Sequence, residues 1–209
     1  VQRLEANEKE RATMLAGIAH DLKSPITRLR LRLAGDAQRQ RAEADLDALE
    51  RITAQFLLFA GGGDAEPAVQ LPLEAWLAEL SAAIDPEQLQ LDLVPLQASV
   101  QPTALARAVG NLIDNALSHG TAPLRLVLRP EPPDGFRIEV WDRGPGIPPQ
   151  AWDQALQPFQ RLDPARGGSG HCGLGLAIAA RVAASHGGSL APCRSAAGFA
   201  VVLRGRSLA

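Results

Sequence analysis

The stretch FRIEVWDRGPGIP, residues 136–148, decides how the second half of the chain folds. Phe136, Ile138 and Val140 recur at every second position, the period of a strand with one face in a core. Asp142 continues that parity at the strand's end, so its carboxylate is expected to open into a semi-buried pocket. An ionised carboxylate only accepts hydrogen bonds, which suits the exocyclic amine of adenine and opposes the carbonyl that guanine presents. Gly144 and Gly146 follow, and backbone without a Cβ lets a flat base come close. In isolation the same residues also describe a DxGxG turn closing a hairpin.

Upstream, residues 102–119 carry Leu105, Val109, Leu112, Ile113 and Ala116 on one helical stripe. Asn111, Asn115 and Ser118 fall together on another face, at steps of four and three. Amide oxygens are hard neutral ligands, able to coordinate Mg²⁺ beside a polyphosphate without adding negative charge. The plainer alternative is a wet helix face.

Downstream, Gly167, Gly168, Gly170, Gly173 and Gly175 lead into LAIAARVAASHGG, residues 176–188. Residues 168–173 match GxGxxG, but the segment before them is QPFQRLDPARG rather than a hydrophobic strand, which excludes a dinucleotide-binding Rossmann unit. The chain's two lysines, Lys9 and Lys23, follow no glycine loop, so a P-loop is excluded too. What remains is a glycine-rich loop feeding a helix N-terminus, whose free N–H groups and dipole can hold phosphates. Arg161 and Arg166 lie on that loop and can clamp the same anion. His171, Cys172, His186 and Cys193 match no zinc-ligand spacing.

Further outward, helical windows are predicted at 72–84, 149–156 and 174–186, and strands at 89–94, 124–128 and 199–203. The pattern is α+β, a small sheet covered by helices. Residues 157–172 follow neither period and are expected to form a mobile loop or lid. Before all this lie two helical stripes, one through Leu15, Ile18, Leu22, Ile26, Leu29 and Leu33, the other through Leu46, Leu49, Ile52, Phe56 and Phe59. A lone hairpin of two helices cannot enclose both stripes, so it is expected to dimerise into a four-helix bundle. Gly61, Gly62 and Gly63 end the second helix and supply a hinge. His20 falls off the apolar stripe and faces water; Lys23, Ser24 and Thr27 share its face, Asp21 adjoins it, and Pro25 bends the helix there.

Composition excludes several classes. Of 209 residues 46% are hydrophobic, enough for a core, and 21 basic against 23 acidic side chains argue against a general nucleic-acid or membrane-surface binder. Two cysteines make no disulfide framework, which fits a reducing, cytoplasmic setting. No apolar run approaches a bilayer span, and the start has no signal-peptide layout. The opening VQRLEANEKERA is charged and helical without a cap, as expected of a fragment continuing an upstream helix.

Taken in order, HDLKSP, NLIDNA, WDRGPGIP, PFQRLD and GLGLAIA closely resemble a sensor histidine kinase of two-component signalling, and AHDLKSPITRLRLRL is similar to the EnvZ-type osmosensor branch. The resemblance covers nearly the whole chain. It implies a dimerisation and histidine-phosphotransfer hairpin at residues 1–65 and a Bergerat-type α+β ATP-binding sandwich at 66–209. It also implies that His20 is the phosphoacceptor, Asp21 its general base, and Ser24 a participant in dephosphorylating the partner. Asn115 would bind Mg²⁺ with Asn111 beside it, and Asp142 would hold adenine in a pocket shaped by Gly144 and Gly146. Phe159, Arg161 and Arg166 would belong to the lid, with Gly173, Leu174 and Gly175 cradling phosphate. ATP and Mg²⁺ are the implied cofactors. The implied partners are a second copy of the chain and the receiver domain of a response regulator, with a bacterial inner membrane reached only through parts absent from this chain.

Three positions depart from the family pattern: Ser118 stands where many relatives carry a basic residue, Ser24 where close relatives carry Thr, and Gly170, His171 and Cys172 lengthen the run before GLGL. Two other readings compete. One is an ATP-sensing dimer without chemistry; the other is a chaperone- or mismatch-repair-type ATPase, against which the HDLKSP hairpin counts.

Overall fold

The computed structural model describes residues 66–158, 160 and 173–208. The expected hairpin with His20, Asp21 and Ser24, the glycines at 61–63, and Phe159, Arg161 and Arg166 of the expected lid lie outside the described residues.

Strand β1 (Val69–Pro72) leads into helix α1 (Leu73–Leu80), followed by β2 (Leu89–Leu93), β3 (Gln97–Val100) and helix α2 (Pro102–His119). Then come β4 (Leu124–Glu131), β5 (Gly135–Asp142), a 3₁₀ turn at Pro149–Ala151, short helix α3 (Trp152–Ala155), helix α4 (Gly175–Ser185), β6 (Ser189–Ser195) and β7 (Gly198–Arg206). A five-stranded sheet runs in the order β2-β4-β5-β7-β6, while β1 and β3 form a separate antiparallel pair. Only β2 and β4 pair in parallel; the other neighbours in the large sheet are antiparallel.

The register explains the core. Leu126 lies opposite Val140 and Leu128 opposite Ile138, and across the next seam Ile138 meets Leu203 and Val140 meets Val201. All six belong to one apolar cluster, completed from α2 by Leu105, Val109, Leu112 and Ile113 and from α4 by Ile178 and Val182. Period-two residues of the sheet thus meet period-3.6 residues of two helices, giving a two-layer α+β sandwich. This is the expected second-half architecture. No helix among the described residues is long and apolar enough to cross a membrane.

The helix ends are defined by local chemistry. Pro102 opens α2 where its missing N–H leaves no intrahelical bond unmade. Glu66 caps the same end: its carboxylate accepts from the Thr103 and Ala104 amides at 2.8 and 3.0 Å, and the Gln101 side-chain amide donates to the Glu66 carbonyl at 2.8 Å. Helix α4 closes with Gly187 at φ 63°, while Gly188 N–H reaches the Ala183 carbonyl at 2.9 Å and Gly187 N–H reaches Ala184 at 3.0 Å, a Schellman turn.

His186, at that turn, is wholly buried. Its Nδ1 lies 2.9 Å from the Val182 carbonyl, and its Nε2 accepts the Gln101 amide at 3.1 Å. Both ring nitrogens serve main-chain groups, in the tautomer that carries its proton on Nδ1. The ring joins the start of α2 to the end of α4, so the two helices run antiparallel.

The structure adds three strands that the sequence pattern misses, β1, β3 and β6. It also replaces the single helix predicted at 149–156 with a 3₁₀ turn and one α-turn, and stops the helix predicted at 72–84 at Leu80.

Candidate functional site

The end of helix α2 and the end of strand β5 meet at Asp142. The residue is 7% exposed, and it lies in register opposite Phe199 of β7. Its Oδ1 accepts the Gly144 amide at 2.6 Å, so the chain after β5 folds back over the carboxylate. At the end of α2, Gly120 faces it so closely that a Cβ there would fall 2.5 Å from Asp142 Cγ. Burial raises the Asp142 pKa; the Gly144 and Thr121 main-chain amides and the positive charge of Arg194 oppose that rise without cancelling it. The site therefore holds a desolvated acceptor that gains from a further donor.

Gly144 and Gly146 serve this arrangement in a way the sequence does not reveal. A Cβ on Gly144 would meet Asp142 Oδ1 at 2.8 Å, and one on Gly146, at φ 63°, would strike the Phe199 ring at 2.3 Å. Their missing side chains make room for the protein's own carboxylate and ring.

At the other end of the site, α4 begins at Gly175 with no side-chain cap among the described residues. Its first intrahelical bond runs from Ile178 N–H to the Leu174 carbonyl at 2.9 Å, so the amides of residues 175–177 have no partner within the helix. Leu174 is fully buried, so it anchors the helix start in the core. Asn111 lies against this start: a Cβ on Gly175 would sit 3.4 Å from Asn111 Oδ1. Asn115, one turn further along α2, is half-buried, whereas Ser118 is exposed. The structure thus brings Asn111, Gly173, Leu174 and Gly175 to one end of the antiparallel helix pair, with α2 continuing through Asn115 towards Asp142.

Sequence reasoning missed Arg194, Phe199 and Gly120. Arg194, on edge strand β6, donates to the Pro145 carbonyl at 2.5 Å, and its guanidinium carbon lies 5.5 Å from the centre of the Phe199 ring. A groove of about 490 Å³ is lined by Arg125, Trp141, Asp142 and Arg143 among others.

Residues 100–204 match the family described as histidine kinase-, DNA gyrase B- and HSP90-like ATPase. The solved histidine kinase domain of the Escherichia coli osmosensor EnvZ is 32% identical, with a TM-score of 0.53, covering 70% of this chain and 93% of that one. The chain belongs to the sensor histidine kinase branch of this ATPase family. Sensor histidine kinase GtrS of Pseudomonas aeruginosa is 35% identical over 196 residues, covering 90% of this chain, and sensor protein RstB of E. coli is 33% identical over 196 residues, covering 85%. The chain spans 40% of GtrS and 44% of RstB.

The residues of this histidine kinase domain fit an adenine nucleotide. The buried acceptor Asp142 suits the base, and the uncapped start of α4 suits anionic oxygens. The Asn111 and Asn115 amides supply the neutral oxygen chemistry that a phosphate-bound Mg²⁺ accepts.

Proposed function

We propose that the chain is the cytoplasmic catalytic core of a two-component sensor histidine kinase, with residues 1–65 as a dimerising phosphotransfer hairpin and 66–209 as the ATP-binding domain. The observation that carries this reading is the buried Asp142 carboxylate at the exit of β5, enclosed by main-chain donors and the end of α2. Adenine donates its amine to Asp142, and the phosphates lie towards the start of α4 at Gly173, Leu174 and Gly175. Phe159, Arg161 and Arg166 close over them. Asn115 holds Mg²⁺, which neutralises phosphate charge, and Asn111 braces the helix start beside it.

The neutral imidazole of His20 attacks the γ-phosphorus of ATP, the bond to the β–γ bridging oxygen breaks, and ADP leaves. Asp21 takes the imidazole proton. Phosphoryl transfer depends on in-line placement and charge neutralisation more than on covalent protein chemistry, so the hinge at 61–63 serves to bring the two parts together. The phosphoryl group then passes to an aspartate of a response-regulator receiver domain.

Labelling with γ-labelled ATP tests this. The parent chain is expected to gain acid-labile, alkali-stable label, and His20→Ala to lose it while still binding ATP. Undiminished label on His20→Ala overturns the phosphoacceptor assignment; ATP binding without label in the parent favours an ATP-sensing scaffold.

Dephosphorylation of the regulator is assigned to Ser24, one turn beyond His20, whose hydroxyl can orient an attacking water at the docked phosphoaspartate. Ser24→Ala is expected to slow regulator dephosphorylation severalfold with autophosphorylation nearly intact, and Ser24→Thr to keep most of the activity. Equal dephosphorylation rates for Ser24→Ala and parent would remove the role.

A further inference from the structure

We propose that Arg194 is a positioning residue for adenine recognition, pinning the loop after β5 from the opposite edge of the sheet. This rests on the nucleotide-binding reading above. The side chain belongs to strand β6 and is exposed, remote in sequence from every motif that marks the site.

Its contacts all point to one loop. In the β6–β7 register Arg194 lies opposite Phe199, and its guanidinium stacks 5.5 Å from that ring's centre. Phe199 in turn lies opposite Asp142 across the β5–β7 seam and fills the space left by the absent side chain of Gly146. Beyond the ring, Arg194 Nη2 donates to the Pro145 carbonyl at 2.5 Å. One planar cation thus grips the 144–146 turn twice, through a main-chain oxygen and through the ring beneath it. The β6–β7 turn reinforces this, since a Cβ on Gly198 would fall 2.1 Å from the Asp142 carbonyl oxygen.

Charge acts in the same direction. Burial disfavours the ionised form of Asp142, and Arg194 is the cation that counters it. Removing Arg194 therefore loosens the turn that donates Gly144 N–H to Asp142 and leaves less to oppose protonation of the buried carboxyl group. Both effects act on the base and leave the phosphate end of the site untouched.

That difference supplies the test. AMP, ADP and ATP are titrated calorimetrically into the full chain and into Arg194→Ala and Arg194→Lys. Arg194→Ala is expected to weaken all three nucleotides by the same factor, about tenfold from the loss of one charged hydrogen bond and one cation–π contact. Arg194→Lys, which keeps the charge and a donor but not the planar stack, is expected to recover part of that loss. Thermal midpoints without nucleotide are expected to fall by no more than a few degrees, leaving both variants folded at the titration temperature. Unchanged affinities in Arg194→Ala overturn the proposal, as does a loss that grows from AMP to ATP, which marks long-range attraction of phosphate. Failure of the parent itself to bind any adenine nucleotide would instead remove the reading on which the proposal stands.

Discussion

Asp142 holds its carboxyl group where water is largely excluded, and in the proposed adenine site that placement would set both specificity and pH behaviour. Its pKa is raised by burial, against the Gly144 and Thr121 amides and Arg194. In the proposed site the ionised form is the one that would accept from adenine. As pH falls, affinity is therefore expected to decline from a higher pH than an exposed aspartate, ordinarily near 3.8, would give. Adenine titrates in the acid range too, so the informative quantity is the ratio of parent to Asp142→Asn affinities measured calorimetrically between pH 7 and 4.5. That ratio should be about tenfold or more at pH 7 and shrink with acid, because a site built around one hydrogen bond loses most when its own group is left mismatched. At pH 7 the parent should prefer ATP strongly over GTP, and Asp142→Asn should narrow the preference. Equal parent affinities for the two nucleotides would contradict the role of the carboxylate.

Much of this was legible from residues 136–148, because strand parity alone carries Asp142 to the buried side. Gly120 and Arg194 were not. Gly120 reaches Asp142 only because α2 ends there, and Arg194 reaches the loop only through the pairing of β6 with β7.

At the scale of elements, α2 is the piece on which the candidate site depends, and its beginning is held from outside. Desolvation acts to raise the Glu66 pKa, but the Thr103 hydroxyl, the Thr103 and Ala104 amides and the charge of Arg107 outweigh it, so the net shift is downward. A carboxylate with a lowered folded pKa adds stability above its unfolded value near 4.5, and the contribution disappears as pH falls through the folded value. Glu66→Ala is expected to cost about 1 kcal/mol at pH 7, the usual worth of a helix cap. Chemical denaturation of parent and variant at pH 7 and at pH 3 checks this: the gap should narrow at pH 3, and a constant gap would mean that the cap does not depend on charge.

The sequence pattern found α2 and α4 because their stripes are long and regular. It missed β6 because SLAPCRS offers few β-formers and contains Pro192, which is tolerated since β6 is an edge strand. It missed β1 and β3 because each has four residues and they find their order only by pairing with each other. The cap by Glu66 was equally hidden, since its partners lie 37 and 38 residues away.

At the scale of the whole molecule, the proposed chemistry is divided between two regions of the chain. Asp142, Asn111 and Asn115 lie in the sandwich, whereas His20 lies in the proposed hairpin, so no single substitution should abolish both nucleotide binding and the acceptor. His20→Ala is expected to retain Mg-ATP affinity within about twofold, since the residue lies outside the nucleotide domain. Asn115→Ala should instead weaken Mg-ATP by at least about tenfold through loss of a metal oxygen ligand, while its own His20 remains an intact acceptor. Each homodimer would then fail to label, for opposite reasons. In a mixed dimer, the His20→Ala subunit has a working ATP site and the Asn115→Ala subunit a working acceptor. If the phosphoryl group crosses between subunits, the mixed dimer regains label, and the label resides only on the Asn115→Ala subunit, which a size tag on one variant makes visible by electrophoresis. If transfer stays within one subunit, the mixed dimer remains dark. Label on the His20→Ala subunit fits neither arrangement and would mean that the acceptor is a residue other than His20.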